Sequence, residues 1–164
     1  MRFLIENNDE FLDLEVCVYH GFRYETNCHR RDTLKKVIFA PDVKMIHEGA
    51  FAFCENLTHV EIPEGVKYIG PKAFIGCSNL KSVILPSTLI SIYELAFEGC
   101  YNLHSIKIPS NVSHIGRCAF SGCSGLFDLE LPVNTTIEDK AFQGCNLPQN
   151  QRADIMKRYI TSNK

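Results

Sequence analysis

Apolar residues return along this chain at a fixed interval of 23 residues. Leu34, Leu57, Leu80, Leu103 and Leu126 open five copies of one pattern. Val37, Val60, Val83, Ile106 and Leu129 follow, and then Phe39, Ile62, Leu85, Ile108 and Leu131. Pro63, Pro86, Pro109 and Pro132 come next, with Ala40 in the first copy. A second apolar pair is Val43/Ile46, Val66/Ile69, Leu89/Ile92 and Val112/Ile115. Each copy then carries Ala-Phe, from Ala50-Phe51 to Ala141-Phe142, and a cysteine: Cys54, Cys77, Cys100, Cys123 and Cys145. The last copy is one residue short, between Pro132 and Ile137. So many columns in register mark a stacked repeat.

One copy shows what a coil does. In LTHVEIP, Val60 and Ile62 alternate with His59 and Glu61, so a short strand buries one face. Pro63 has no N–H for a strand ladder and closes the strand. VKYIG is a second extended piece, and PKAFIGC reads as one short helical turn. Gly76, Gly99, Gly122 and Gly144 precede the cysteines and suit a left-handed corner. Phe53 stands there in the first copy, where a different corner is expected. Only stacking buries both edges of such a coil. The expected fold is a right-handed α/β repeat solenoid. One side carries a short parallel sheet of five or six strands, the other short strands and helical turns.

The ends of a stack need caps. Residues 1–33 are expected to cap the N-terminus, with Phe11, Leu14 and Val16 placed like Leu34, Val37 and Phe39 in a degenerate coil. Residues 34–147 hold the five coils. Residues 148–164 are expected to form a capping helix, with Ile155, Met156, Tyr159 and Ile160 on one apolar face. The whole is one domain.

Composition narrows the function. A formal net charge of −2 gives no electrostatic case for nucleic acid. No apolar run approaches the roughly 20 residues of a membrane-spanning helix, so no membrane insertion is expected. The polar residues Glu6 to Glu10 interrupt any secretory apolar segment, so the chain as given is expected in the cytoplasm. No phosphate loop or nucleophile elbow is present, so neither enzyme nor cofactor is expected. Five of the eight cysteines share one repeat column, which reads as buried thiols and not as a disulfide framework. Asn56, Asn79 and Asn102 read as side-chain ties to turn backbone. Cys17, His20, Cys28 and His29 are zinc-ligand types, but adjacent Cys28 and His29 fit tetrahedral ligation poorly.

Taken together as LxxVxIPxxVxxIGxxAFxGCxxL, the repeat resembles the BspA-like (Treponema pallidum-type) leucine-rich repeats. The resemblance covers roughly residues 34–146 and, in part, 11–33. It implies leucine-rich-repeat coils and a surface adhesion or host-matrix-binding role, with a cell-surface or secreted location as the alternative to the cytoplasm.

The residues that vary between coils are the candidate binding site. The outward strand columns are Lys36/His59/Ser82/Ser105/Asp128 and Ile38/Glu61/Ile84/Lys107/Glu130, flanked by Lys35/Thr58/Lys81/His104/Phe127. Ile38, Ile84 and Phe127 are apolar where a wet face is expected. The expected contributors are His59, Glu61, Lys81, Ile84, Lys107, Phe127 and Asp128, acting on a protein partner. A scaffold without a ligand patch is the alternative, with self-association through the caps, and an enzyme or a zinc-binding cap is the third reading.

Overall fold

The computed structural model describes residues 16–21 and 32–162. It is a solenoid of parallel strands with one helix at its C-terminal end. Two strands alternate along the chain. The first kind are β1 (Val16–Tyr19), β2 (Lys36–Phe39), β4 (His59–Glu61), β6 (Ser82–Ile84), β8 (Ser105–Lys107) and β10 (Asp128–Glu130). The second kind are two-residue strands: β3 (Met45–Ile46), β5 (Tyr68–Ile69), β7 (Ser91–Ile92), β9 (His114–Ile115) and β11 (Thr136–Ile137). Helix α1 is Gln149–Ser162.

The two sides differ from the simple expectation. The short strands form the continuous ladder, in the order β11-β9-β7-β5-β3. The longer strands pair by twos, as β1-β2, β4-β6 and β8-β10. Both sets keep the repeat register, with His59 opposite Ser82 and Ser105 opposite Asp128. The N-terminal strand does not. Val16 lies opposite Lys36 and Tyr19 opposite Phe39, a 20-residue offset where the repeat has 23. Val16 therefore does not occupy the place of Phe39. Tyr19 does, buried against the Phe39 and Phe51 rings, and its hydroxyl accepts the His47 N–H at 2.9 Å. Phe11, Leu14, Cys28 and His29 lie outside the described residues.

The core is built from the repeated columns. Leu57, Leu80, Leu103, Ile69, Ile92 and Ile115 are fully buried. The Ala-Phe corner forms the centre of the stack. Phe51, Phe74, Phe97, Phe120 and Phe142 lie ring on ring at 5.1–5.2 Å, with planes within 18° of parallel. The first four are buried and Phe142, on the last coil, is half-buried. The corner is not a helical turn. It is a run of tight turns, because alternate backbone N–H groups bond to the neighbouring coil while those between them close three-residue turns within their own. Phe74 N–H donates to Ala96 O and Phe97 N–H to Ala119 O, both at 2.7 Å. An N–H that points along the stack cannot close an i→i−4 helical bond.

Two left-handed positions per coil make this corner. One is the glycine column, with φ between 69° and 78° at Gly76, Gly99, Gly122 and Gly144. Phe53 takes the same conformation at φ 60°, so the first corner keeps its geometry and absorbs the strain of a side chain. The other column is Gly49, Lys72, Leu95, Cys118 and Lys140, all with φ between 54° and 63°.

Polar ties run parallel to the stack. The amides of Asn79 and Asn102 donate to Glu55 O and Ser78 O in the preceding coil, at 2.9 and 2.8 Å, and Asn56 donates likewise to Asp32 O. At the C-terminal end α1 covers the last coil. Gln151 Nε2 donates to Leu129 O at 3.0 Å, so the exposed edge of β10 is partly occupied.

Candidate binding face

The cysteine column closes off one chemical reading. Cys54, Cys77, Cys100, Cys123 and Cys145 are free thiols, four of them fully buried and Cys145 half-buried. Each of the last four donates its S–H back to a phenylalanine carbonyl of the preceding coil: Cys77 to Phe51, Cys100 to Phe74, Cys123 to Phe97 and Cys145 to Phe120, at 3.1–3.3 Å. Burial pushes the Cys77 thiol up to about 12 and raises Cys100 strongly too. A thiol held neutral is a poor nucleophile and a poor metal ligand. These side chains fasten coil to coil.

The cavity beneath α1 has about 440 Å³ and is lined by Phe142, Cys145, Leu147, Ile155, Met156 and Tyr159 among others. Among the described residues no histidine lines it. Ile155 packs on the core while Met156 stands mostly exposed, so the helix seats less of its apolar face than its spacing suggests. Among the described residues no group of three or more His, Cys, Asp or Glu side chains is placed to hold a metal.

The outward face of β2, β4, β6, β8 and β10 is a different surface. All seven candidate residues lie on it or beside it, and all are exposed: His59, Glu61, Lys81, Ile84, Lys107, Phe127 and Asp128. They do not converge on one point. They spread over four coils as a grid. Ile84 is 60 % exposed, Phe127 52 % and Ile38 46 %, which is high for large apolar side chains on a regular scaffold. A shallow hollow of about 720 Å³ lies over β2, β4 and β6, with Lys36, Ile38, His59, Glu61 and Ile84 in its lining. A second, of about 550 Å³, lies between Ile84 and Lys107.

Three local contacts shape this face. Lys107 Nζ meets Glu130 Oε2 in the next coil at 2.7 Å, and that carboxylate raises the lysine's affinity for its proton. The His104 ring stands edge-on to Phe127 at 6.1 Å, the geometry favoured by aromatic quadrupoles. Glu64, at the rim of the second hollow, accepts from Ser87 N–H at 2.8 Å, Ser87 Oγ at 3.0 Å and Thr88 N–H at 3.3 Å. Those bonds, led by the Ser87 backbone, hold its carboxyl below the usual carboxylate range.

One cluster escaped the sequence reading. On the ladder of short strands, Tyr93 lies 6.4 Å from both Tyr68 and His114, and His114 Nε2 is 3.6 Å from Glu138 Oε1. The signal was present in the column Gly70-Tyr93-Gly116. A Cβ at Gly70 would come within 2.7 Å of Ile46 O, and one at Gly116 within 2.7 Å of Glu94 N. The coils close up at those glycines, and the small, buried Ser91 lies between Tyr68 and His114 in the ladder.

A stack of short parallel strands, repeating leucine columns and a variable outward face define a leucine-rich-repeat solenoid. The BspA type leucine-rich repeat model matches residues 24–151 in six copies, and the chain belongs to that family. No curated protein matches the chain. A leucine-rich-repeat protein of T. pallidum is 25 % identical with a TM-score of 0.59, over 71 % of this chain and 77 % of that one. A leucine-rich cell surface protein of Faecalibacterium prausnitzii is 30 % identical with a TM-score of 0.67, over 81 % of this chain but only 35 % of its own length. A leucine-rich-repeat protein of Eubacterium ventriosum has the same fold at 23 % identity and a TM-score of 0.58, over 83 % of this chain and 32 % of that one. The chain thus spans about a third of the length of these last two. No helix among the described residues is long and apolar enough to cross a membrane.

Proposed function

We propose that this chain is a protein-binding module that works through the outward face of β2, β4, β6, β8 and β10, in the setting of cell-surface attachment. The observation that carries it is the contrast between columns. Core columns repeat the same residue type in every coil, while the outward columns change from coil to coil and still hold Ile38, Ile84 and Phe127 in water. Strands about 4.8 Å apart give a face some 20–25 Å long over five or six coils. Three outward columns over that length supply about the 800 Å² per partner of an ordinary interface. Ile84 and Phe127 are the desolvated anchors, with His59, Glu61, Lys81, Lys107 and Asp128 setting orientation. The surface setting is supported by the Faecalibacterium relative, described as a cell surface protein.

The test is site-directed crosslinking. A photoreactive residue replaces Ser82, in the middle of the face, and in a second protein Lys67, which is exposed beside the ladder of short strands. The reading expects a defined crosslinked partner from Ser82 alone, lost when Ile84 and Phe127 are both changed to Asp. A partner captured equally from Lys67, or kept by the folded double variant, overturns it and favours a scaffold without a ligand patch.

A further inference from the structure

Coil joins coil at the Ala-Phe corner by one repeated arrangement. Lys72, Phe74 and Gly76 donate their N–H groups to Glu94, Ala96 and Glu98 O in the next coil, at 2.7–3.0 Å. Cys118, Phe120 and Gly122 donate likewise to Asp139, Ala141 and Gln143 O. In a trans peptide the carbonyl and the N–H that follows it point in opposite directions. The carbonyls of Asp139, Ala141 and Gln143 face back into the stack, so the N–H groups of Lys140, Phe142 and Gly144 face out of its C-terminal end. Lys140 and Gly144 keep the left-handed φ of their columns, at 57° and 78°. None of these three N–H groups has an acceptor among the described residues. The Phe142 ring is half-buried, stacks on Phe120 at 5.2 Å and lines the cavity of about 440 Å³ beneath α1. Ile155, Met156 and Tyr159 of α1 contribute to the same lining, and Met156 is exposed.

We infer that this end of the stack is a second binding site, which takes a turn segment of a partner protein carrying one aromatic side chain. Carbonyls of alternate residues in the segment accept from Lys140, Phe142 and Gly144. Its ring lies on Phe142, in the cavity, against Ile155 and Met156. The occupant is set by continuity with the interface that the coils make with one another. The last corner offers the same three donors, the same left-handed φ and the same ring face that every inner corner offers to its neighbour. An open row of main-chain groups is a template for one more segment. The main-chain bonds supply affinity, and the seat for the ring supplies specificity. The cavity is within the range of ligand sites, about 300–1,000 Å³. The site is separate from the outward face, since none of its residues belongs to β2, β4, β6, β8 or β10.

The probe is a peptide of sequence Glu-Leu-Ala-Phe-Glu-Gly, blocked at both ends, which is the corner that residues 94–99 form inside the stack. It carries the three carbonyls that Lys72, Phe74 and Gly76 use there. Titrated into the isotope-labelled chain, it should bind with a Kd below about 1 mM. The largest amide shifts should fall on Lys140, Phe142 and Gly144. A control peptide with alanine in place of phenylalanine should bind at least tenfold more weakly. Met156→Asp, checked for folding by circular dichroism, should weaken the parent peptide about fivefold, while Ile84→Asp on the outward face should leave it unchanged. The alanine peptide needs no protein variant, so it tests the ring seat even where Met156→Asp disturbs α1. No shift at the three amides at about 1 mM peptide, equal binding of the alanine peptide, or full binding by folded Met156→Asp overturns the inference. Loss of binding in Ile84→Asp also overturns it, since the peptide would then occupy the outward face. So does a shift of the same amides with rising protein concentration alone, together with a doubled mass in sedimentation, which would assign this end to a second copy of the chain.

Discussion

Phe97→Ala is the perturbation that probes the stack most directly. Phe97 is fully buried, 5.2 Å from Phe74 on one side and 5.2 Å from Phe120 on the other, with planes within 7° of parallel. Truncating a buried phenylalanine costs about 3–5 kcal/mol, and the spread depends on how far the site collapses. Here collapse is blocked from several directions. The Phe97 N–H is fixed to Ala119 O at 2.7 Å, and its carbonyl accepts both Cys100 N–H and Cys123 S–H. Two ring contacts are lost as well, each worth about 0.5–1.5 kcal/mol. The expected loss is therefore near the top of the range, about 4–5 kcal/mol. Phe142→Ala provides the comparison. Phe142 is half-buried and stacks on Phe120 at the end of the row, beside the cavity under α1. It should lose about 1–2 kcal/mol, since less area and one ring contact are removed.

The assay is urea unfolding followed by far-ultraviolet circular dichroism and by the fluorescence of the six tyrosines, the chain having no tryptophan. Repeat stacks can uncouple into halves, and a lower denaturant slope in Phe97→Ala would report that separation. A loss below about 1 kcal/mol at Phe97, or equal losses at Phe97 and Phe142, would refute the argument that the aromatic row is the rigid centre of the fold.

Four further outcomes follow from the same geometry. Stability should fall as pH rises above about 9, because burial moves the Cys77 thiol from 9.0 to about 12. Between those values the unfolded chain releases a proton that the folded chain keeps, so the slope is negative at about 1.4 kcal/mol per pH unit per thiol; Cys77→Ser should flatten urea midpoints measured from pH 8 to 10, and an unchanged slope would contradict the burial. Gly116→Ala should lose about 2–3 kcal/mol, since its Cβ meets Glu94 N at 2.7 Å of immovable backbone, whereas Gly49→Ala, with nothing within 4 Å but φ 63°, should lose about 1 kcal/mol; the reverse order in thermal melts would show that conformation outweighs clash. Lys107→Ala should change stability by less than about 1 kcal/mol, because both ends of its pair with Glu130 are exposed and screened, and a larger loss in urea would mean that this ion pair holds the last two coils together. Ile84→Asp with Phe127→Asp should stay within about 1 kcal/mol of the parent, and unfolding of the double variant would contradict the outward register.

The fold was legible because packing imposes the same demand on every coil. Leu80, Ile92, Phe97 and Cys100 answer to the same cavity as their equivalents 23 residues away, so each column repeats one side-chain type. The backbone was less legible. Leu95 and Lys72 adopt left-handed φ although nothing in their side chains announces it; the hydrogen bonds of the stack impose it, as Leu95 N–H donates to Arg117 O and Lys72 N–H to Glu94 O. The same inter-coil bonding turned the expected helical turn into a run of tight turns. Phe53 likewise takes the glycine conformation because neighbouring corners dictate it. Val16 was misplaced because β1 is offset by 20 residues, a difference that a single degenerate copy cannot reveal by periodicity.

The binding face stands at the opposite limit. A column reads clearly only when every coil needs the same residue, and a recognition surface needs each coil to be different. Lys36, His59, Ser82, Ser105 and Asp128 form one geometric column, yet no periodic reading of the chain joins them by chemistry. The sequence therefore marks the face by what fails to repeat, and failure to repeat has two causes: selection for a partner, or the absence of any constraint. Exposure alone does not separate these causes, since single exposed apolar residues are ordinary. Charge does not separate them either, because both signs mix along the face: Lys36, Glu61 and Lys81 over β2 to β6, then Lys107, Asp128 and Glu130 over β8 and β10. Perturbation separates them. Changing Ile84 and Phe127 together to Asp removes a partner's apolar contacts if selection shaped the face, and changes nothing but solubility if no constraint did.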